Sequence, residues 1–357
     1  MVGSRMVGSR MVGAYELTRE ELGRLLEGEP AYRVDQVWRG LHAEGRRPSE
    51  MTNLPARLRS RLESALPPAL TRVAESVSDG GRTVKWLWQL EGGAQAETVL
   101  MHYPERATVC VSSQAGCAMR CSFCATGQAG FSRNLSAGEI VEQVVVARRA
   151  AMPARLSNVV FMGMGEPLAN YDNLWAALRR IHDELGISAR HLTVSTVGVI
   201  PGIRRMAGED LPVNLAVSLH AANDELRSSL VPLNRRYPID SLMEACGQYV
   251  TAKGRRLSFE WALISGVNDR PSDAEELALL ARPLGAHVNL IPLNPTPGYR
   301  VRGSSPPAVR GFRDMLVSLG VNATVRRNRG TDIDAACGQL AARVGAGATG
   351  RGGGGGR

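Results

Sequence analysis

CAMRCSFC, at residues 117 to 124, places Cys117, Cys121 and Cys124 on one short stretch, with three residues and then two residues between them. Closely spaced cysteine thiolates on one loop are the usual sequence mark of an iron–sulfur cluster. A cluster of four irons with only three protein ligands leaves one iron open to bind a second molecule. The stretch therefore predicts one 4Fe–4S cluster with an open iron, held by these three cysteines.

Other sites built from cysteines fit this stretch less well. Zinc sites prefer paired Cys or Cys/His ligands, and no second pair lies nearby. A disulfide framework is typical of secreted chains, and nothing in this sequence looks secreted. Three structural cysteines this close together would be a coincidence, so we favour the cluster.

The same loop resembles the signature of the radical S-adenosyl-L-methionine (SAM) superfamily. The resemblance implies that the open iron binds the amino and carboxylate groups of SAM. It also implies that an electron from the reduced cluster splits SAM into a 5′-deoxyadenosyl radical.

Composition indicates a globular protein with an anionic partner. The 357 residues suffice for a large core, hydrophobic content is ordinary, and no apolar run is long enough to cross a membrane. The net charge is +9 and the pI is about 9.7. A basic surface favours nucleic acid, and arginine binds phosphate well. A GC-rich genome, which supplies arginine codons, would explain the same composition.

The remaining cysteines and the carboxylate before the loop allow only general interpretations. We expect a cytoplasmic protein, where cysteines are more often catalytic or metal-binding than cross-linked. Cys110 is compatible with the core, Cys246 with a structural role in a helix, and Cys337, in a glycine-containing turn, with an accessible thiol. Taken alone, Glu97 is interpreted as a surface carboxylate.

The hydrophobic pattern changes from helical to strand-like and then alternates. Three helices are predicted up to Pro67, followed by strands at residues 84–90, 97–101 and 108–111. From residue 110, six strand–helix units indicate a parallel sheet with crossover helices. The predicted fold class is α/β: a partial (β/α)6 radical SAM barrel with a small N-terminal helical module and a β-meander extension.

This pattern divides the chain into five predicted parts. Residues 1–14 are a disordered N-terminal repeat, and residues 15–70 a helical accessory domain that binds RNA or caps the barrel. Residues 71–109 are a β-meander linker, residues 110–344 the radical SAM catalytic domain, and residues 345–357 a disordered Gly-rich tail.

Polar residues follow successive predicted strands, where a barrel of this kind has its active site. They are Gly163 to Pro167 after the second strand, Ser195 and Thr196 after the third, Ser218 to His220 after the fourth, and Asn294 after the sixth. Each is weak evidence alone. Their shared placement predicts one pocket that collects them all.

Five stretches together resemble the RlmN family: residues 110–117, 117–124, 163–167, 217–220 and 334–338. The resemblance covers about residues 18 to 344, and the combination is far more specific than any single motif. Members are dual-specificity enzymes that form 2-methyladenosine in 23S rRNA, at the peptidyl transferase centre, and in tRNA, at the adenosine 3′ of the anticodon.

The resemblance implies a role for each matching position. Cys337 becomes S-methylated, Cys110 resolves the reaction by forming a disulfide with it, and Glu97 accepts a proton. The positions that match cluster ligands are Cys117, Cys121 and Cys124. The positions that match SAM contacts are Gly165, Glu166, Ser195, Ser218, Leu219, His220 and Asn294.

The implied reaction uses two SAM molecules per turnover, because electron-poor adenine C2 cannot attack a methyl group as a nucleophile. Cys337 takes a methyl group from the first SAM, and the radical from the second removes a hydrogen atom from it. The carbon radical adds to C2, the C2 proton leaves, and Cys110 frees the RNA. The implied partners are 23S rRNA, tRNA, an electron donor such as flavodoxin, and a thiol reductant. We expect a monomer with no membrane association.

Two alternatives remain open from the sequence. A related resistance family methylates C8 of the same rRNA adenosine and shares the cysteine set, so these motifs separate the two poorly. A noncatalytic RNA-binding module with a structural metal is the alternative from another class. Candidate phosphate contacts are the helical module, Arg235 with Arg236, and residues 326–329. The alternative for each is an arginine-rich surface that is simply exposed to solvent.

Overall fold

The computed structural model describes residues 13–294, 296, 301–326, 329–336 and 338–340. The predicted disordered ends therefore lie outside the described residues, except for residues 13 and 14. Ala14 is buried in the main core, so the ordered chain begins before the predicted boundary.

The described residues form twelve strands and eleven α-helices. The strands are β1 Thr71–Ser78, β2 Thr83–Gln89, β3 Gln95–His102, β4 Ala107–Cys110, β5 Gln114–Gly116, β6 Phe131–Asn134, β7 Leu156–Phe161, β8 Leu192–Thr196, β9 Asn214–Ser218, β10 Leu257–Leu263, β11 His287–Pro292 and β12 Ala323–Val325. The helices are α1 Arg19–Leu25, α2 Tyr32–His42, α3 Ala56–Ala65, α4 Ala125–Ala129, α5 Ala137–Ala151, α6 Tyr171–Asp183, α7 Ile200–Gly208, α8 Asp224–Leu230, α9 Ile239–Lys253, α10 Pro271–Ala281 and α11 Pro306–Ser318.

A ten-stranded sheet organises the chain in the order β1-β2-β3-β4-β7-β8-β9-β10-β11-β12. Neighbouring strands from β4 to β12 are parallel, and helices cross over between them. The predicted α/β partial barrel is confirmed. Because parallel strands point the same way, their carboxyl ends meet at one edge, where the polar residues predicted above are collected.

The meander belongs to the same sheet as the barrel. Strands β1, β2 and β3 pair antiparallel, and β3 pairs with β4. The sequence pattern does not predict β1, because this strand has no apolar face. Even its valines, Val73 and Val77, are exposed in the structure. The pattern also misses β5 and β6, a short hairpin on either side of the cysteine loop.

The N-terminal helices form a module that packs on α5 and α6. Thr18 and Glu21 form the predicted capping box of α1, and Leu22 and Leu62 are fully buried. Arg148 on α5 donates to the carbonyl of His42 at 2.5 Å. Glu142 on α5 accepts from the Ala69 amide at 2.9 Å, so polar contacts add to the shared core.

None of the described helices is both long and apolar enough to cross a membrane.

Candidate active site

A cavity opens at the carboxyl ends of the parallel strands. Its lining brings together residues from the cysteine loop, from five strand ends and from the chain after β12. The predicted site residues that line it are Cys117, Cys121, Cys124, Gly165, Glu166, Ser195, Ser218, His220 and Asn294. The structure therefore places these groups around one pocket, and their roles there stay a prediction.

The cysteine loop runs between β5 and α4. Cys117 directly follows β5, Cys121 is buried, and Cys124 directly precedes the first residue of α4. Gly116 has a φ of +78°, and a Cβ there would lie 2.0 Å from the carbonyl oxygen of Gly130. Only glycine therefore allows the β5–β6 hairpin to close tightly beneath the first cysteine.

The loop's thiols suit a cationic metal group. Burial raises the pKa of Cys117 to about 12 and that of Cys121 well above its usual value. Thiolates at Cys117 and Cys121 therefore need positive charge nearby to compensate them, and iron supplies it. Within the described residues, no three His, Cys, Asp or Glu side chains converge on a single ion.

Glu166 lies on a rigid turn after β7. Its carboxylate accepts from the amide of Leu168 at 3.0 Å and from the amide of Val197 at 2.8 Å. Its own amide donates to Oε1 of Gln114 at 2.8 Å. Burial raises the pKa of Glu166 to about 7, so near neutral pH a cation in the cavity would favour its ionised form.

Gly165 allows that turn to form. Its φ is +102°, and an added Cβ would lie 2.5 Å from Cβ of Gln114. The backbone therefore passes so close to Gln114 that any side chain would displace the carboxylate that follows.

His220 presents a neutral donor to the cavity. Its Nδ1 lies 3.0 Å from the amide of Ala262, which donates to it, so the ring proton is assigned to Nε2. Burial and the charge of Arg227 lower the pKa of His220 to about 3. Phe123 of the cysteine loop packs edge-on against the ring, at 4.6 Å between centroids.

Leu219 differs from the other predicted SAM contacts. Its side chain is fully buried in the main core and does not line the cavity. Its amide donates to the carbonyl of Glu260, and its own carbonyl accepts from Arg227. The geometry therefore gives no support to a side-chain contact with a ligand.

Glu260 and Met162 also line the cavity, although the sequence pattern does not single them out as ligand contacts. Glu260 on β10 accepts from Nδ2 of Asn289 at 2.8 Å, and Arg326 lies 3.5 Å from its other oxygen. Burial raises the pKa of Glu260. The sequence could have pointed to Glu260, because it is the one charged residue in the otherwise largely apolar strand LSFEWAL.

Glu97 is buried rather than on the surface, because it lies inside the continuous sheet on β3 with 1% of its area exposed. The interpretation as a surface carboxylate is therefore wrong. Nζ of Lys85, on neighbouring β2, lies 3.2 Å from its Oε1. Ser112 donates to the main-chain carbonyl of Glu97 at 2.6 Å, which ties β3 to the segment after β4.

Cys110 ends β4 and is buried in a small apolar cluster with Val99, Met164, Ala335 and Leu340. The last two residues flank position 337 in the sequence. The prediction for Cys337 itself lies outside the described residues, and no disulfide joins two cysteines in the described part of the chain. The flanking residues nevertheless bring the C-terminal segment to Cys110.

Of the arginines predicted to bind phosphate, Arg326 lines the cavity, and Arg329 donates to the carbonyl of His102 at 2.8 Å. Residues 327 and 328 lie outside the described residues.

Comparison with known proteins adds independent evidence. Residues 111–280 match the Radical SAM superfamily. The chain is 55% identical over 335 residues to a probable dual-specificity RNA methyltransferase RlmN of Parafrankia sp. (strain EAN1pec), covering 88% of this chain and 87% of that one. A protein of the same name from Chloroflexus aurantiacus is 50% identical over 348 residues, covering 92% of each chain.

A solved structure matches the fold over almost the whole chain. The crystal structure of a radical SAM methyltransferase from Sphaerobacter thermophilus superposes with a TM-score of 0.89 at 50% sequence identity. The match covers 93% of this chain and 100% of that one.

Proposed function

This chain belongs to the RlmN family of the radical SAM superfamily, and on that premise we propose that it is an RNA methyltransferase that forms 2-methyladenosine. The proposed substrates are the peptidyl transferase centre of 23S rRNA and the adenosine 3′ of the anticodon in tRNA. The observation that carries the proposal is the single cavity that joins the cysteine loop to Glu166, His220 and the segment around position 337.

The superfamily implies a 4Fe–4S cluster and SAM as cofactors. Cys117, Cys121 and Cys124 would hold the cluster, with two SAM molecules consumed per turnover. When bound, these cofactors supply first a methyl group and then a 5′-deoxyadenosyl radical.

The chain's own cavity residues bind and orient the cofactor. Glu166, fixed by the amides of Leu168 and Val197, accepts from an ammonium group. Nε2–H of His220 donates to an acceptor, and Ser195, Ser218 and Asn294 supply further polar contacts from neighbouring strand ends. The apolar remainder of the lining excludes water from a reactive radical.

Cys337 is the proposed methyl carrier, Cys110 the resolving thiol and Glu97 the proton acceptor. The methyl group enters on a cysteine sulfur, as in other covalent catalysis. Burial of Cys110 against Ala335 and Leu340 supports the pairing of Cys110 with the C-terminal segment. Cys110 would free the methylated RNA by forming a disulfide with Cys337.

The proposed cycle requires partners outside the chain. An electron donor such as flavodoxin would reduce the cluster, and a thiol reductant would reopen the disulfide. Both requirements, like the RNA substrates, suit a cytoplasmic enzyme, and we propose that it acts as a monomer.

The proposal is tested by reconstituting the enzyme without oxygen and supplying SAM, reductant and either unmodified 23S rRNA fragment or tRNA. The digested RNA is analysed by mass spectrometry for 2-methyladenosine beside 8-methyladenosine. The C2 product is expected. Formation of 8-methyladenosine instead would assign the enzyme the activity of the related resistance family. Formation of 5′-deoxyadenosine without methylated RNA would still support SAM cleavage but would contradict the proposed RNA substrates.

A further inference from the structure

Lys85 carries a mostly buried cation beside Glu97, the proposed proton acceptor. Its side chain on β2 is 11% exposed, and its Nζ lies 3.2 Å from Oε1 of Glu97. The same ammonium donates to the carbonyl oxygen of Asp334 at 3.3 Å. One side chain thus joins the carboxylate on β3 to the segment that leads to Cys337.

The residue type fits this position. All but two of the 43 Lys and Arg residues in the chain are arginine, so codon usage does not explain a lysine here. An ammonium is a compact charge that donates in several directions, whereas a guanidinium is a flat fork. The compact group can lie between a carboxylate and a carbonyl within about 3.3 Å of both.

The C-terminal segment is held at both ends around that contact. On the meander side, the amide of Gly330 donates to Oδ2 of Asp79 at 3.2 Å, and Ser78 contacts Asp332. On the cysteine-loop side, the amide of Ala125 donates to the carbonyl of Gly338 at 2.8 Å. Lys85 contacts the segment between these two attachments.

We propose that Lys85 is a positioning residue whose ammonium pairs with the Glu97 carboxylate and holds it aligned with the segment carrying Cys337; the inference rests on the proposed function. In the step it serves, the C–H bond at adenine C2 breaks, the proton passes to a Glu97 oxygen, and the electron pair stays on the RNA adduct. Lys85 neither gains nor loses a proton. Its charge stabilises the buried carboxylate that must accept one.

The test compares Lys85→Met, which removes the charge, with Lys85→Arg, which keeps it. Lys253→Met is the matched control, because Lys253 also donates to a backbone carbonyl, that of Glu209, away from the cavity. In Lys85→Met we expect 2-methyladenosine formation to fall at least tenfold, while 5′-deoxyadenosine formation and methylation of Cys337 change less than twofold. Lys85→Arg should restore part of the rate, and Lys253→Met should match the wild type.

RNA deuterated at adenine C2 allows the isotope effect on product formation to be measured. A purely structural role of Lys85 would not change this isotope effect. If proton removal becomes slower, the isotope effect on product formation should be larger in Lys85→Met than in the wild type. The double variant Lys85→Met/Glu97→Gln removes both charges and should be no slower than Glu97→Gln alone, because Lys85 acts through Glu97. This comparison also holds if the single variant folds poorly.

The outcomes separate the two proposals. Wild-type enzyme that makes no 2-methyladenosine overturns the proposed function and this inference with it. An active wild type overturns the inference alone if Lys85→Met loses 5′-deoxyadenosine and product in the same proportion. The inference is also overturned if the isotope effect is the same in Lys85→Met and the wild type. It is likewise overturned if the rate losses of Lys85→Met and Glu97→Gln add up in the double variant.

Discussion

Burial raises the pKa of Glu166 and lowers the pKa of His220. Removing a carboxylate from water raises its pKa, here to about 7, and removing an imidazolium lowers its pKa, here to about 3. At a pH of about 8 the first is therefore an ionised acceptor and the second a neutral donor. Two side chains that line the same cavity thus offer complementary hydrogen bonds to a ligand that has both a donor and an acceptor.

Replacing one of the three proposed cluster cysteines should remove iron without unfolding the protein. We expect Cys121→Ala, after anaerobic reconstitution, to retain far less iron and sulfide than the wild type and to form no 5′-deoxyadenosine. The reason is that one of the three proposed protein ligands is lost from a loop with no spare cysteine. Iron content and visible absorbance measure the effect.

Cys246→Ala is the matched control, because Cys246 is equally buried but packs in the main core from α9. It should keep its iron and lose only about 1 kcal/mol of stability for the small volume removed. Equal iron in the two variants would contradict the ligand assignment.

The residues that the sequence predicts well are those whose chemistry is local. Three cysteines within eight positions, or a carboxylate between glycine and proline, mark a site whatever surrounds them. The meaning of Lys85, Glu97 and Glu260 depends instead on burial, which a strand's neighbours decide. Leu219 shows the converse, since its adjacent polar residues face the cavity while its own side chain enters the core.

At the scale of elements, the turn after β7 depends on the absence of a side chain at Gly165. Gly165→Ala should push the turn away from Gln114, strain a backbone at positive φ, and displace Glu166. We expect SAM affinity to fall about tenfold, equivalent to about 1.4 kcal/mol. Equilibrium binding of SAM to the reconstituted enzyme measures it.

Gly208→Ala controls for the loss of a glycine, because Gly208 ends α7 with open space at its Cβ and no positive φ. It should bind SAM as the wild type does. If Gly165→Ala also bound SAM normally, the turn would not set the position of Glu166.

Helix α5 links the helical module to the barrel through a titrating group. Burial raises the pKa of Glu142 to about 7, against the ordinary value of 4.5 in an unfolded chain. A carboxyl with a raised folded-state pKa stabilises the fold while protonated, so its contribution is lost as the pH rises towards and past 7. From pH 6 to 8 this loss amounts to about 1 kcal/mol.

We therefore expect Glu142→Gln, which keeps an acceptor for the Ala69 amide, to lose less stability than the wild type between pH 6 and 8. Urea unfolding at the two pH values measures the difference. Parallel pH dependence in the two proteins would show that Glu142 does not titrate in this range.

The elements absent from the sequence prediction share a physical cause. Strand β1 forms by pairing with β2 and buries almost no apolar surface of its own, and helix α4 has only five residues. Such elements depend on tertiary contacts more than on their own pattern. The long amphipathic helices and apolar parallel strands, by contrast, carry their period in the sequence, so the barrel could be predicted.

At the scale of the whole molecule, a net charge of +9 favours binding of RNA, and the helical module is the proposed contact. We expect Arg57→Glu/Arg59→Glu, on α3, to weaken tRNA binding by on the order of tenfold, with less effect at higher salt. Arg282→Glu/Arg310→Glu reverses the same number of charges on the barrel and should weaken tRNA binding less. Binding at two salt concentrations checks this, and equal losses would favour a diffuse field over a module-specific contact.

The buried thiols of the cysteine loop have a consequence for how the enzyme matures. Because burial raises the pKa of Cys117 and Cys121, both thiols hold their protons at physiological pH until metal arrives. Iron binds thiolate, so assembly of the proposed cluster on these cysteines would expel those protons into the medium. Acid therefore opposes maturation and alkali favours it, and the empty loop is also protected from oxidants that attack only thiolates.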